Sequence, residues 1–226
     1  MRLTLFDLDG TLIEADSDHA FGEFMVAIGW VDGDAFRRRN DAFYEDYQAA
    51  RLDIEAYIDF ATAPWRDRPQ DEALAMRERF MQERVLPAID ARAQSLVQRH
   101  QAAGDLVAVV TATNEFITRP IADAFGVADL IALELVRDDN RRVTGAVRGV
   151  ASFREGKIVR VEQWLAGQGL RHADFSHVTA YSDSTNDLPL LEWATHPVAT
   201  NPGPVLAKIA RERGWPVLNL FTEEAT

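Results

Sequence analysis

The 226-residue chain contains no cysteine, which excludes disulfide bonds, a thiolate nucleophile and cysteine-ligated zinc. It is also short of positive charge. A formal net charge of −12 leaves no basic face for nucleic acid or an anionic membrane, and it opposes an anionic ligand unless local donors reverse the field. No apolar run approaches the length of a membrane span. The stretch between Arg2 and Asp7 is too short for a secretory leader, so the cytoplasm is the expected compartment. Repeats and low-complexity tracts are missing. His19, His100, His172, His177 and His196 show no ligand spacing and are read as surface or packing residues. What remains is the composition of a compact globular chain, long enough for one large domain or a core carrying an insertion.

Short apolar runs separated by helical patterns dominate the second half. Leu3 to Phe6, Leu106 to Val110, Leu130 to Leu133 and Val178 to Tyr181 are predicted strands, with Pro197 to Ala199 and Val217 to Leu218 as weaker ones. Helical stretches such as Ala91 to Ala103 and Arg154 to Ala166 lie between them. That alternation predicts an α/β fold with a doubly wound, mainly parallel, Rossmann-like sheet. Residues 16–88 differ, being helical throughout in pattern: Phe21, Phe24, Met25 and Ile28 follow the i, i+3, i+4, i+7 spacing, and Tyr44, Tyr47, Tyr57, Ile58, Phe80 and Met81 continue it. The expected organisation is an α/β core of residues 1–15 and 89–226 with an all-helical cap, residues 16–88, inserted after the first strand. The turn-rich segment from Arg137 to Val143 predicts a hairpin.

Three polar clusters each follow a predicted strand: Asp7-Leu8-Asp9-Gly10-Thr11, Thr111-Ala112-Thr113-Asn114 and Asp183-Ser184-Thr185-Asn186-Asp187. Open α/β sheets bind ligands at the carboxyl ends of their strands, so the three can meet in one crevice. Taken alone, Asp7 and Asp9 suit either a solvated turn or a cation site. Asp183, Ser184 and Asp187 also suit a helix start.

The string DLDGTL after an apolar strand resembles the first motif of the haloacid dehalogenase superfamily of phosphohydrolases, and SDSTND its fourth. Thr111 resembles the second motif and Lys157, in REGKIVRV, the third. The helical insertion between the first and second motifs, with VVTAT and TGAVRGV, is similar to the phosphoserine-phosphatase-like branch. The resemblance implies an Mg²⁺-dependent phosphomonoesterase acting on a small phosphorylated metabolite. A phosphotransferase or phosphomutase with the same intermediate is the near alternative, and a receiver-like phospho-acceptor the distant one.

That chemistry needs a nucleophile, neutralisation of the phosphoryl oxygens and a proton for the leaving alkoxide. Asp7 fits the nucleophile, forming an aspartyl-phosphate. Asp9, two positions on in an extended chain, can face the same crevice as acid and base. By resemblance, Asp7 and Asp183 offer carboxylates to Mg²⁺ and Asp9 its main-chain carbonyl, with Asn186 and Asp187 as outer or weaker ligands. The Thr111 hydroxyl and the backbone amides of Ala112 and Thr113 would hold the phosphate, and Lys157 would offset its charge. Ser152-Phe153-Arg154-Glu155 matches a capping box that would place Lys157 in the first turns of a helix.

For the substrate, Asp16 stands where phosphoserine phosphatases carry a glutamate, leaving room for a different amine-bearing ester such as histidinol phosphate. Asp16 and Asp18 also suit capping of a helix near His19. Arg51 is a candidate for recognising a carboxylate or phosphate. Phe21, Phe24, Tyr44 and Tyr47 read as core, with a share available to a pocket.

Overall fold

The computed structural model describes residues 1–49 and 51–221. Strand β1 (Arg2–Phe6) leads into α1 (Ser17–Ala27), α2 (Gly33–Gln48), α3 (Ile54–Arg66) and α4 (Gln70–Phe80); the last runs on through a π-helical turn, Met81–Val85, and a 3-10 turn. Then follow α5 (Ala91–Ala102), β2 (Leu106–Asn114), α6 (Glu115–Ala124), β3 (Asp129–Leu133), β4 (Leu135–Arg137) and β5 (Val143–Val147). The chain closes with α7 (Glu155–Gly167), β6 (His177–Ser182), α8 (Leu188–Trp193), β7 (His196–Thr200), α9 (Pro204–Arg213) and β8 (Val217–Leu218).

Six strands form one parallel sheet in the order β3-β2-β1-β6-β7-β8. Both faces are covered, as parallel sheets require, and the alternation along each strand divides the core. Leu3, Leu5, Ala108 and Val110 point into a cluster closed by Val161 and Leu165 of α7 and by Leu190 and Leu191 of α8. Phe6, Val107 and Val109 point into a second cluster with Leu96 and Val97 of α5 and Ile117 and Ile121 of α6. That second cluster continues without a break into Phe21, Phe24, Ile58, Trp65 and Phe80 of the helical segment.

β1 pairs with β2 on one side and with β6 on the other, so the winding reverses there. This is the switch point at which a crevice opens above the carboxyl ends of the strands. The expected hairpin is present: β4 and β5 pair antiparallel, and β5 lies against α3, where Gly145 faces Arg66. Among the described residues of the helical segment there is no strand.

Two local expectations are corrected. Ser152 does not cap α7; its hydroxyl is buried and donates to the Ile131 carbonyl at 3.2 Å, and the helix starts from Arg154 with no side-chain cap. A tertiary acceptor on β3 has outcompeted the local amide. β2 does not end at Val110 but runs to Asn114, taking in Thr111, with its register against β3 interrupted between Val110 and Asn114.

Candidate active site

The crevice gathers the three clusters. Asp7 leaves β1 fully buried, and its amide donates to Tyr181 O of β6 at 3.0 Å. The chain then turns at Gly10, whose φ of +72° suits glycine; a Cβ there would lie 2.3 Å from Asp183 Oδ2, so nothing larger fits. Thr11 Oγ1 lies 3.3 Å from Asp7 Oδ2 and 3.4 Å from Asp183 Oδ1, and it accepts the Asp183 amide at 3.1 Å. One hydroxyl thus ties the first motif to the fourth. Asn201, just past β7, holds the same turn from outside by donating to Gly10 O at 2.8 Å.

Lys157, in the first turn of α7, is 1% exposed and bridges two acids: Nζ lies 2.8 Å from Asp7 Oδ1 and 2.6 Å from Asp187 Oδ2. Its pKa is raised; burial alone would lower it, and the two carboxylates overcome that. Ser182 Oγ donates to Asp187 at 2.8 Å, so Asp187 is engaged with Lys157 and Ser182. The Asn186 amide donates to Tyr47 O of α2 at 3.0 Å, fastening the fourth motif to the helical segment. Ser184 caps the turn that carries both, accepting Asn186 N at 3.1 Å.

Asp9 accepts the Ser17 amide at 2.8 Å and the Thr113 hydroxyl at 2.9 Å. The Thr113 amide donates to Thr111 Oγ1 at 3.1 Å, which commits that amide and leaves the proton of the buried Thr111 hydroxyl for another acceptor. Of the amides expected at the phosphate, that of Thr113 is therefore already engaged.

Burial is the main force on the carboxyls. It pushes Asp7 up to about 7 against the pull of Lys157. It pushes Asp9 up to about 7, with Asp16 adding repulsion and Ser17 opposing. Asp183 rises to about 9 through burial and then through repulsion from Asp7 and Asp187. With one lysine among Asp7, Asp183 and Asp187, the set is short of positive charge.

Next to Asp7 and Asp9 lies a small inner cavity of about 30 Å³, lined also by Asp16, Asp18, His19, Tyr44, Tyr47, Tyr57 and the Thr111–Thr113 strand end. It meets an outer cleft of about 740 Å³ at Asp9, Asp16, Tyr44 and Tyr47. Asp16 caps α1 by accepting His19 N at 2.8 Å and lines both spaces. Asp18 is buried, with burial and then Asp16 pushing its carboxyl up to about 8, and its Oδ2 has no partner among the described residues.

Phe21 and Phe24 are core, whereas Tyr44 and Tyr47 line the cavity. Arg51 stands apart, pairing with Asp46 at 2.7 Å on the surface and lining neither space. His19 departs from the packing role read in the sequence, for it borders the cavity and pairs with Asp41 at 2.9 Å. Tyr57 and Asn201 were missed. Asn201 had a signal, the Asn-Pro-Gly turn directly after a strand; Tyr57 had none beyond its helical periodicity.

A parallel sheet whose switch point gathers paired carboxylates, a buried lysine and a buried threonine of β2 is an arrangement suited to phosphoryl transfer. The family model of the haloacid dehalogenase-like hydrolases matches residues 4–192, and the chain belongs to that family. The histidinol-phosphatase of Neisseria meningitidis serogroup C is 43% identical over 218 residues, 96% of this chain and 98% of that one. A solved structure of a protein of unknown function from Bordetella pertussis Tohama I superposes with a TM-score of 0.92 at 48% identity, covering 97% of this chain and 99% of that one. A substrate-bound phosphoserine phosphatase shares the fold, with a TM-score of 0.67 at 18% identity over 96% of this chain and 91% of that one. The protein is a phosphoric monoester hydrolase with the phosphoserine-phosphatase-like fold, and the receiver-like alternative is set aside.

Proposed function

We propose that the enzyme hydrolyses a small amine-bearing phosphomonoester, histidinol phosphate in preference to phosphoserine, through an aspartyl-phosphate on Asp7. The observation that carries this is the lining of the inner cavity: Asp16 and Asp18 among three tyrosines, and no arginine or lysine among the described residues. A phosphoserine carboxylate entering there would find no arginine or lysine to answer it. Histidinol phosphate brings an amine and an imidazole but no carboxylate, and its ammonium would answer the unpartnered Asp18 Oδ2. The likeness to the neisserial histidinol-phosphatase supports the same reading.

In this scheme an Asp7 oxygen attacks phosphorus, and the ester oxygen leaves with the proton that Asp9 holds. Asp9 then takes a proton from the water that attacks the aspartyl-phosphate, freeing phosphate and restoring Asp7. An Asp9 carboxyl raised to about 7 can serve in both directions near neutrality. Lys157 and the Thr111 hydroxyl hold the phosphoryl oxygens, and Thr113 and the Ser17 amide fix Asp9.

The residues also fit Mg²⁺. Among the described residues no three acidic or histidine side chains form a cage. Mg²⁺, however, takes one or two carboxylates plus substrate oxygens, and Asp7 and Asp183 share the Thr11 hydroxyl in a set short of positive charge. Asp7, Asp183 and the Asp9 carbonyl would hold the ion. When bound, it neutralises charge on the transferring phosphoryl group.

Residues 16–88 would act as the substrate-selecting cap over a catalytic core of 1–15 and 89–226. The inner cavity has space for about one or two waters. The space must therefore widen for substrate to enter, and the likeness to phosphatases favours water over a second alcohol as acceptor. The test is kcat/KM with Mg²⁺ for L-histidinol phosphate, phosphoserine and phosphoethanolamine. Histidinol phosphate should lead phosphoserine by about tenfold or more, the worth of one charge-assisted contact; a lead for phosphoserine overturns the reading.

A further inference from the structure

A second cleft, of about 300 Å³, shares no lining residue with the two spaces of the active site. Half of its fourteen lining residues are arginines, against one acid, Glu115, in a chain of net charge −12. Arg66, Arg68 and Arg77 come from α3, α4 and the link between them; Arg119, Arg137, Arg141 and Arg142 come from α6 and the β4–β5 hairpin.

Five of these arginines have carboxylate neighbours. Arg66 pairs with Asp59, Arg119 with Asp123, Arg142 with Asp138 and Arg137 with Glu115, while Arg68 is 3.9 Å from Glu72. Arg77 and Arg141 have none within ion-pair distance among the described residues, although Glu78 and Asp123 lie near enough to Arg77 to act on it. Arg77 is half-buried: it donates through Nη1 to Phe116 O at 3.0 Å and lies 4.9 Å over the Phe116 ring, yet its buried Nε has no acceptor. Trp65, 3% exposed, stacks on Phe116 at 4.1 Å, and its indole N–H also lacks an acceptor. Arg119 Nε is the third such group.

Buried N–H groups are almost always satisfied, because leaving one unmade forfeits its hydration with no return. Three belong to residues that line one arginine-rich cleft, next to an aromatic stack, and an acceptor from outside would satisfy them. Guanidinium forks match carboxylate and phosphate oxygens, and the stacked rings suit an apolar body.

We propose that this cleft is a binding site for a small organic anion, its carboxylate or phosphate oxygens held by Arg77, Arg141 and the Trp65 indole N–H. The assignment is independent of the reading of the active site. The ligand joins α3 and α4 to α6 and the hairpin.

The test uses the full chain labelled with ¹⁵N, without added metal, titrated with succinate in one arm and inorganic phosphate in the other. The Trp65 indole N–H, assigned through Trp65→Phe, should shift and saturate in at least one arm; which arm responds tells a carboxylate site from a phosphate site. Arg77→Gln and Arg141→Gln should each weaken that binding by about tenfold or more, as loss of a charge-assisted contact does. Both should turn over p-nitrophenyl phosphate as the wild type does when no anion is added. Arg141 is exposed on the hairpin turn, so its variant keeps the test valid if Arg77→Gln fails to fold. Shifts confined to Thr111–Thr113, linear shifts without saturation, equal binding in the Arg141 variant, or no shift in either arm would each overturn the assignment, leaving a cleft filled by water.

Discussion

Lys157 answers two carboxylates at once, whereas Asp9 pairs with no cation among the described residues and is held by neutral donors, a hydroxyl and an amide. That difference separates the roles of the two acids. Asp9→Asn should cost far more for alkyl phosphates, whose leaving oxygen needs a proton, than for p-nitrophenyl phosphate, and a steady-state comparison of the two checks it. Equal losses would make Asp9 a structural acid. Asp18 offers a test through stability. Its folded pKa of about 8 lies above the ordinary 3.8, so the folded chain holds a proton that the unfolded chain has lost, and stability falls as pH rises between those values. Asp18→Asn lacks this titration. Its melting temperature should gain on the wild type progressively from about pH 4 to about pH 8 and level off above; calorimetry across that range reads it, and a constant offset would refute it. The same variant should lose kcat/KM for amine-bearing esters about tenfold or more while keeping p-nitrophenyl phosphate turnover. At this scale Asp7 was legible because it sits directly after an apolar run, and Asp9, Asp183 and Asp187 because they belong to the DLDGTL and SDSTND strings. His19 and Tyr57 were not, since a residue on a helix reaches the site only through how that helix is laid over the sheet.

The strands were legible as elements for a simple reason: a parallel strand buried on both faces is an unbroken apolar run, as in Leu106 to Val110. Where a contact lies far away in sequence, local pattern misleads. Ser152 matched a capping box, but the Ile131 carbonyl on β3 took its hydroxyl. The hairpin could be read from its turn residues, but nothing in them showed that β5 would lie on α3. Gly145 marks that contact, with φ of +82° and a would-be Cβ 1.9 Å from Arg66 Nη1, while Arg66 is itself held by Asp59 at 2.6 Å. Gly145→Ala should destabilise the protein by about 1–2 kcal/mol, a fall in melting temperature of roughly 2–8 °C. Differential scanning calorimetry decides this, and an unchanged melting temperature would mean that the hairpin floats free of the helix.

Across the whole molecule the excess of acid has its sharpest expression at the crevice. A chelator should abolish turnover, and added Mg²⁺ should restore it while Ca²⁺, with its looser oxygen shell, restores little. Full activity in the chelator would remove the ion from the site. No helix among the described residues is long and apolar enough to cross a membrane. The cluster that begins at Phe6 under the sheet runs through Phe116 and Ile117 into Phe21, Phe24, Trp65 and Phe80, so the segment over the active site is not a lid resting on a finished core. Part of what would be its own interior is supplied by α6, through Phe116, Ile117, Ile121 and Ala122. Exchanging residues 16–88 between relatives to transplant specificity would therefore leave two half-interiors of unmatched shape. Such chimeras should fold only when the α6 face is exchanged with them, which makes change of substrate within this architecture a matter of single residues rather than of interchangeable parts.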